Sequence, residues 1–384
     1  MTVPMSNIAA EYEAIKDEID EAFQRVIKSG NFTLGEEVDL FEQELAEYIG
    51  SKHAVGVGSG TAAIELTLRA FGIGPGDEVI TVPNTDIPTT AAISHVGAKI
   101  VFVDIDQSTY NIDPKKIEEK ISKKTKVIMP VDLHGYPVER DEILEIGRNY
   151  DLIVIFDSAL SLGAEYKGDK VGSYGHATCF SLAPTKVLGA FGDAGVVTTN
   201  DDRVSDRIKI LRNYGHSLEM EAGQEGIEGF SKWEFIEEGF NERLDALQAA
   251  ILRARMPTLE RLIEKRRKVA KKYNEIFSKL DITIPYESSN IKHVFRAYTI
   301  LVDERDTIRK YLKSKGIATH IYYCPPLHLQ PAYKYLGHQE GDFPVTEMYG
   351  RKMLSLPIFP EMTKDQMEEV ITAVNESVQA IWRK

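Results

Sequence analysis

The sequence predicts an α/β fold: a large domain built on a mostly parallel sheet of seven strands, followed by a smaller α+β domain. Between residues 52 and 200, short runs rich in β-branched residues alternate with helical patterns, as expected of strands joined by helices. Several runs are apolar on consecutive residues, which is typical of strands covered on both faces. The length of 384 residues favours roughly two to three domains.

The large domain is predicted to begin with two helices and to continue into the sheet. The helices are expected between Glu11 and Gly50, broken around Ser29-Gly30-Asn31. The predicted strands are residues 53–57, 78–82, 99–103, 126–131, 152–156, 177–181 and 195–199. Ligands of such sheets bind beyond the carboxyl ends of the strands, so we expect the functional site there.

A long helical pattern from Arg243 to about Phe277 is expected to bridge the domains. Pro257 should kink or split it, because proline lacks a backbone N–H and its ring clashes with the preceding turn. The smaller domain is predicted from a strand-like run at 294–302, a helix at 305–315, a second run at 317–323 and a final helix from Lys364. We therefore predict that residues 1–245 form the large domain, and residues 246–384 the bridging helix and small domain.

Composition argues against several kinds of partner. The chain has 46 Lys and Arg against 59 Asp and Glu, a formal net charge of -13, which is unfavourable for binding nucleic acid through a basic face. Its two cysteines, Cys179 and Cys324, lack metal-ligand spacing, so we predict neither a disulfide framework nor a metal site.

No apolar run approaches the ~20 residues of a membrane span, and no leader pattern is present. We expect a cytoplasmic protein.

Lys186 and Asp157 are the most informative pair of residues. Lys186 follows a predicted strand and precedes a glycine-rich segment, and Asp157 ends the apolar run 152–156. A lysine can form a Schiff base with pyridoxal 5′-phosphate (PLP), and a carboxylate can keep its pyridine nitrogen protonated so that the ring acts as an electron sink. Alone, the lysine would be interpreted as a surface residue and the aspartate as a helix cap or solvated strand end. Together they predict a PLP site.

The segment Gly58-Ser59-Gly60-Thr61 is a candidate phosphate site. It lies between a predicted strand and a predicted helix, where glycines permit a tight turn and the exposed amides of the helix N-terminus attract an anion. The alternative is a turn that binds nothing. Ser181 is either a further phosphate ligand or a strand-end hydroxyl bonded to the backbone.

These motifs together resemble the DegT/DnrJ/StrS family of PLP-dependent nucleotide-sugar aminotransferases, a branch of PLP fold type I (the aspartate aminotransferase fold). The matching segments are residues 29–35, 58–61, 131–135, 180–186, 189–195, 212–215, 239–245 and 325–328. The resemblance implies that Lys186 and Asp157 are the catalytic residues. The cofactor-binding set that it implies is Ser59, Gly60, Thr61, Asp86, Asp157, Leu160, Ser181, Lys186 and Asn241. Asn241 would reach the phosphate from the neighbouring subunit of a homodimer with shared active sites.

The resemblance also implies an activity, the transfer of an amino group from L-glutamate to a keto group of a nucleotide-activated deoxysugar. Pyridoxamine 5′-phosphate (PMP) would carry the nitrogen between two half-reactions. Retention of Lys186 favours transamination, because sugar dehydratases of the family are expected to have histidine there. The alternatives are an aminotransferase acting on an inosose or a keto-sugar phosphate, a different PLP lyase, and a PLP-binding regulatory protein without turnover.

Three residues depart from the family pattern. Leu160 stands where Gln or His usually lies near the ring oxygen of the cofactor, Asp86 replaces an aromatic residue that usually stacks on the ring, and Asp132 occupies a position where His is common. We expect Asp86 to lie beside the cofactor as a buried, paired carboxylate that helps to select the substrate; its alternative role is to cap a neighbouring loop.

The remaining candidates have a weaker basis. Arg243 either binds a carboxylate of the amino donor or pairs with Asp245 or another acid, and His328 either lines the sugar pocket or packs within a loop. Tyr322-Tyr323 is expected to be core. Trp233, within the polar stretch 223–238, is expected to lie on a mobile loop near the pocket.

Overall fold

The computed structural model describes residues 3–218 and 235–382. Trp233 and most of its predicted loop lie outside these ranges. The strands of the described residues are β1 (His53–Val57), β2 (Glu78–Thr81), β3 (Lys99–Phe102), β4 (Thr125–Ile128), β5 (Ile153–Asp157), β6 (Glu165–Tyr166), β7 (Asp169–Lys170), β8 (Ala177–Ser181), β9 (Gly195–Thr199), β10 (Ile291–Lys292), β11 (Tyr298–Leu301) and β12 (Met353–Leu356).

The predicted seven-stranded sheet is confirmed, with the order β1-β9-β8-β5-β4-β2-β3. Pairs from β3 to β8 are parallel, and only β9 runs antiparallel to its neighbours β1 and β8. Because β9 is antiparallel to both, β1 has the same direction as β8. The carboxyl ends of β1, β2, β5 and β8 therefore meet at one edge of the sheet.

The α-helices of the described residues are α1 (Ile8–Glu13), α2 (Lys16–Ser29), α3 (Glu36–Ile49), α4 (Gly60–Ala70), α5 (Ile87–His95), α6 (Arg140–Asn149), α7 (Asp202–Arg212), α8 (Ala246–Arg255), α9 (Leu259–Phe277), α10 (Arg305–Ser314), α11 (Pro344–Lys352) and α12 (Lys364–Trp382). The break after Ser29 is confirmed, with Gly30 in the left-handed region at φ 69°. Pro257 splits the bridging helix, as predicted, by forming a 3-10 turn between α8 and α9. None of the described helices is long and apolar enough to cross a membrane.

A hydrophobic core separate from the seven-stranded sheet surrounds β11 and β12, which pair antiparallel. Tyr273 and Phe277 of α9 pack in it with Tyr298 and Leu354 of the two strands. Val3 belongs to the same cluster: its N–H donates to the carbonyl of Gly316 at 3.3 Å, and its carbonyl accepts from the N–H of Ala318 at 2.9 Å. The run 317–323 forms isolated bridges rather than a strand, and β12 was not predicted. The division at residue 245 stays a prediction.

Candidate active site

Lys186 lies on the loop after β8, at the carboxyl edge of the sheet. Its backbone N–H donates to the carbonyl of Ala183 at 2.9 Å, which fixes the turn that carries it. The pKa of the Lys186 amine is lowered to about 8, by burial first and by the positive charge of Arg296 second, against the opposing effect of Asp157 and Asp86. A lysine with that pKa is partly unprotonated near neutral pH, as a nucleophilic amine must be.

Asp157 ends β5 and is 4% exposed. Its Oδ2 accepts from the Thr89 hydroxyl at 2.6 Å and its Oδ1 from the Ala159 N–H at 3.2 Å. Burial raises the pKa of Asp157, because the anion is costly there without a matching cation. Two donors leave part of the capacity of the carboxylate free. The site thus suits a protonated ring nitrogen, which would supply both a charge and a donor.

The phosphate site predicted at Ser59, Gly60 and Thr61 forms the N-terminus of α4. The Ser59 side chain caps the helix by accepting from the Ala62 N–H at 3.1 Å. A Cβ at Gly60 would lie 2.6 Å from the Cβ of Ser181, so only glycine lets the helix approach the end of β8 this closely. The first amides of a helix have no partner within it and carry the positive end of its dipole. This corner can therefore receive a phosphate.

One cavity of about 240 Å³ joins these groups. The predicted site residues that line it are Ser59, Gly60, Thr61, Asp86, Asp157, Leu160, Ser181 and Lys186. An amine, a buried acid and an anion-binding helix end thus share one concave space. This donor set has the complementary groups that the aldehyde, ring nitrogen and phosphate of PLP require.

A second cavity of about 310 Å³ continues from the first. It shares Asp86, Leu160, Lys186 and Tyr323 with the first cavity. Its further lining comes from segments far apart in sequence: Met5, Ser6, His134, Thr185, Arg296, Ala297, His320 and Tyr322. Sequence reasoning missed Arg296, His320 and the Thr89 donor, because none of them lies in a local motif. Tyr322-Tyr323, expected to be core, is only partly buried and lines this cavity. Two adjacent tyrosines were thus the one sequence feature that could have pointed to it.

Asp86 differs from the expectation of a buried carboxylate. It lines both cavities, but its side chain is exposed, and Oδ1 caps α5 by accepting from the Ile87 N–H at 2.8 Å. The premise that burial forces it to find a partner is wrong, because solvent reaches it. Asp86 therefore has the capping role that was considered as the alternative. Because it also lies in the cavity wall, a role in substrate selection is compatible with its position.

Asp132 is 1% exposed and serves the loop behind the cavity. It accepts from the hydroxyls of Ser158 and Ser161 at 2.6 and 2.9 Å and from the Val138 N–H at 2.9 Å. Burial raises its pKa to about 6. It lines neither of the two cavities. The Asp132 carboxylate instead holds Ser158 and Ser161, which follow Asp157, in place.

Three predicted site residues do not line either cavity of their own chain. Asn241 is exposed, and Arg243 donates to Asn213 Oδ1 at 3.2 Å rather than to Asp245. His328 is 1% exposed, with Nε2 3.2 Å from Glu347 Oε1. Of the two roles considered for His328, packing within its loop is the one that this buried contact with Glu347 supports.

Comparison with known proteins places the site in a family. Residues 13–375 match the model of the DegT/DnrJ/EryC1/StrS aminotransferase family. The chain is 42% identical over 358 residues, 93% of its length and 94% of the relative's, to dTDP-3-amino-3,6-dideoxy-alpha-D-galactopyranose transaminase of Aneurinibacillus thermoaerophilus. It is 41% identical over 379 residues, 98% of both chains, to a pleiotropic regulatory protein of Geobacillus stearothermophilus.

Solved structures agree with this assignment. DesV of S. venezuelae superposes with a TM-score of 0.93 at 37% identity, with 98% of both chains covered. Spr1654 of Streptococcus pneumoniae, solved in PLP and PMP forms, superposes with a TM-score of 0.88 at 25% identity over 95% of this chain and 97% of that one. The cofactor of this fold is thus PLP, with PMP as its aminated form.

Proposed function

Because the chain belongs to the DegT/DnrJ/EryC1/StrS aminotransferase family, we propose that it transfers an amino group from L-glutamate to the keto group of a nucleotide-activated deoxysugar. The observation that carries the proposal is the cavity in which Lys186, with its lowered pKa, lies with the buried carboxylate of Asp157. The transaminase of A. thermoaerophilus, which acts on a dTDP-amino sugar by its name, supports the substrate class.

Each group of the cavity has a defined task in this reaction. When bound, PLP supplies an electron sink for the bonds that change at the donor α-carbon. Asp157, oriented by Thr89, holds the proton on the ring nitrogen. The α4 amides and Ser181 bind the phosphate and so orient the ring. With the cofactor bound, the Lys186 Nζ would move a proton between the α-carbon of the donor and the C4′ carbon of the cofactor.

The proposed enzyme is a homodimer in which Asn241 completes the phosphate site of the neighbouring subunit. Asn241 is exposed and lies outside the cavities of its own chain. Exposed apolar side chains lie on segments that contact residues 240–250. Phe32 has a carbonyl that accepts from the Ala246 N–H at 3.0 Å, Tyr214 donates its N–H to the Phe240 carbonyl at 2.9 Å, and Phe23 and Ile27 lie on α2, which packs against α8. A second copy would remove this apolar surface from water.

The experiment that tests the activity follows the two half-reactions. The purified protein with PLP should release 2-oxoglutarate from L-glutamate in one equivalent per site, with the cofactor spectrum changing to that of PMP. The PMP form should then aminate one of a panel of keto-sugar nucleotides, detected by mass. Amination of an inosose or a keto-sugar phosphate alone would contradict the proposed acceptor.

The regulatory alternative has one specific observation in its favour, the relative of G. stearothermophilus named a pleiotropic regulatory protein. A regulatory protein without turnover would bind PLP but leave glutamate unchanged. Release of 2-oxoglutarate from glutamate therefore separates the enzyme from this alternative.

A further inference from the structure

Arg296 is a cation in the wall of the second cavity, and no carboxylate of the described residues pairs with it. It lies just before β11, half-buried, and lines this cavity together with Lys186. One nitrogen, Nη2, donates to the hydroxyl of Thr185 at 3.1 Å, while the buried Nε has no acceptor. In residues 3–218 and 235–382 it forms no ion pair, unlike the buried Arg255, which pairs with Glu11.

The charges around Arg296 favour an anion in this cavity. Lys186 faces the same space as a second basic group, and Asp86 is the acid among its lining residues. The imidazoles of His134 and His320 are neutral near pH 7, because burial lowers the pKa of both, that of His134 to about 3. Burial first, and the charge of Arg296 second, lowers the pKa of both Lys186 and His320. An arginine that loses solvent without gaining an acid is costly, and a ligand carboxylate would relieve that cost by accepting from its planar fork.

We propose that Arg296 binds the α-carboxylate of the amino donor. This assignment rests on the proposed aminotransferase function. The donor nitrogen must take the place of Lys186 Nζ, and the α-carboxylate is separated from that nitrogen by one carbon atom. Thr185, the hydrogen-bond partner of Arg296, directly precedes Lys186 in the chain. The guanidinium is thus held close to where the α-carboxylate of any bound α-amino acid would lie. The sugar ring of the proposed acceptor carries no carboxylate at the corresponding position.

The two half-reactions separate this role from others. Arg296→Gln should lower kcat/KM about 100-fold for L-glutamate and for L-alanine, the loss expected when charge-assisted hydrogen bonds are removed. Amination of the keto-sugar by the PMP form should change less than about 2-fold, because that step uses no donor carboxylate. Arg296→Lys should fall between, since it keeps the charge and loses the fork.

Binding gives a readout that does not depend on turnover. 2-Oxoglutarate cannot react with the PLP form, so its Kd, measured by calorimetry, should rise about 100-fold in Arg296→Gln. Arg309, exposed on α10 and outside both cavities, gives the matched control. Arg309→Gln should leave the Kd and both half-reactions unchanged, and urea unfolding should show that all variants are folded.

Several outcomes would overturn the assignment. A loss confined to amination would place Arg296 at an acidic group of the acceptor, and a loss for glutamate without a loss for alanine would place it at the distal carboxylate. If wild type converts no donor, the proposed function fails, and an unchanged Kd for 2-oxoglutarate in Arg296→Gln still decides against the inference.

Discussion

Replacing Lys186 with methionine should stabilise the cofactor-free protein at neutral pH. Burial lowers the pKa of this amine from 10.5 to about 8. A fall of that size corresponds to roughly 3 kcal/mol of unfavourable free energy for the charged form in the folded state. Solvent reaches part of the side chain, so we expect a gain of about 2 to 3 kcal/mol in the free energy of unfolding.

The sign of the pH dependence follows from the two protonation states. Below pH 8 the lysine is charged in the folded and unfolded protein, and the folded protein bears the full cost. Between about 8 and 10.5 the folded protein loses the proton first, so the unfolded state binds more protons and stability rises with pH. Above 10.5 the lysine is neutral in both states. The advantage of Lys186→Met should therefore shrink across this window.

Urea unfolding of both cofactor-free proteins, at equal concentration and at several pH values, measures the effect. Lys268, exposed on α9, gives the control: Lys268→Met should change the free energy of unfolding by less than about 0.5 kcal/mol. If Lys186→Met is no more stable than wild type at neutral pH, or if its advantage does not depend on pH, the lysine is not destabilised by burial and our account of its reactivity fails.

Three further predictions concern the cofactor and its surroundings. Borohydride should attach PLP covalently to the peptide containing Lys186; attachment at another lysine, seen by mass spectrometry, would contradict the assignment. Mixing inactive Lys186→Ala with inactive Asn241→Asp subunits should restore one working site of the two in mixed dimers, whereas no recovery despite verified subunit exchange would mean that Asn241 does not act across the interface. Asp86→Asn keeps a good helix cap but removes the charge, so it should weaken the keto-sugars that donate a hydrogen bond to Asp86 while preserving thermal stability. Asp86→Phe should cost about 1 kcal/mol for the lost cap and change the relative kcat/KM of competing keto-sugars; an equal loss for every substrate in both variants would make Asp86 purely structural.

The cofactor side of the cavity was predictable because its groups are local features of strand ends. Asp157 directly ends β5, and Gly60 begins the helix after β1. Parallel strands bring their carboxyl ends to one edge, so the residues could be expected to meet without knowledge of any long-range contact. The seven strands were predictable for a related reason, since burial on both faces leaves an apolar run in the sequence.

The second cavity was not predictable because it is assembled by tertiary contacts. Arg296 precedes an ordinary apolar strand, and its unpaired Nε becomes evident only when its neighbours are known. His328 shows the opposite case. It lies in a family motif, but its ring is buried against Glu347 and lines neither cavity. A motif thus predicts the identity of a residue better than the direction of its side chain.

The pairing of Val3 with the segment around Ile317 has a consequence for synthesis on the ribosome. The strands β1 to β9 are contiguous in sequence, so the sheet can form while the chain is still being extended. The backbone of Val3 stays exposed to solvent until Gly316 and Ala318 have left the ribosome, because its two hydrogen-bond partners belong to them. Since Met5 and Ser6 beside it line the second cavity, a nascent chain can bring together Ser59, Asp157 and Lys186 before the wall of the neighbouring cavity, and Tyr323 shared by both cavities, is in place.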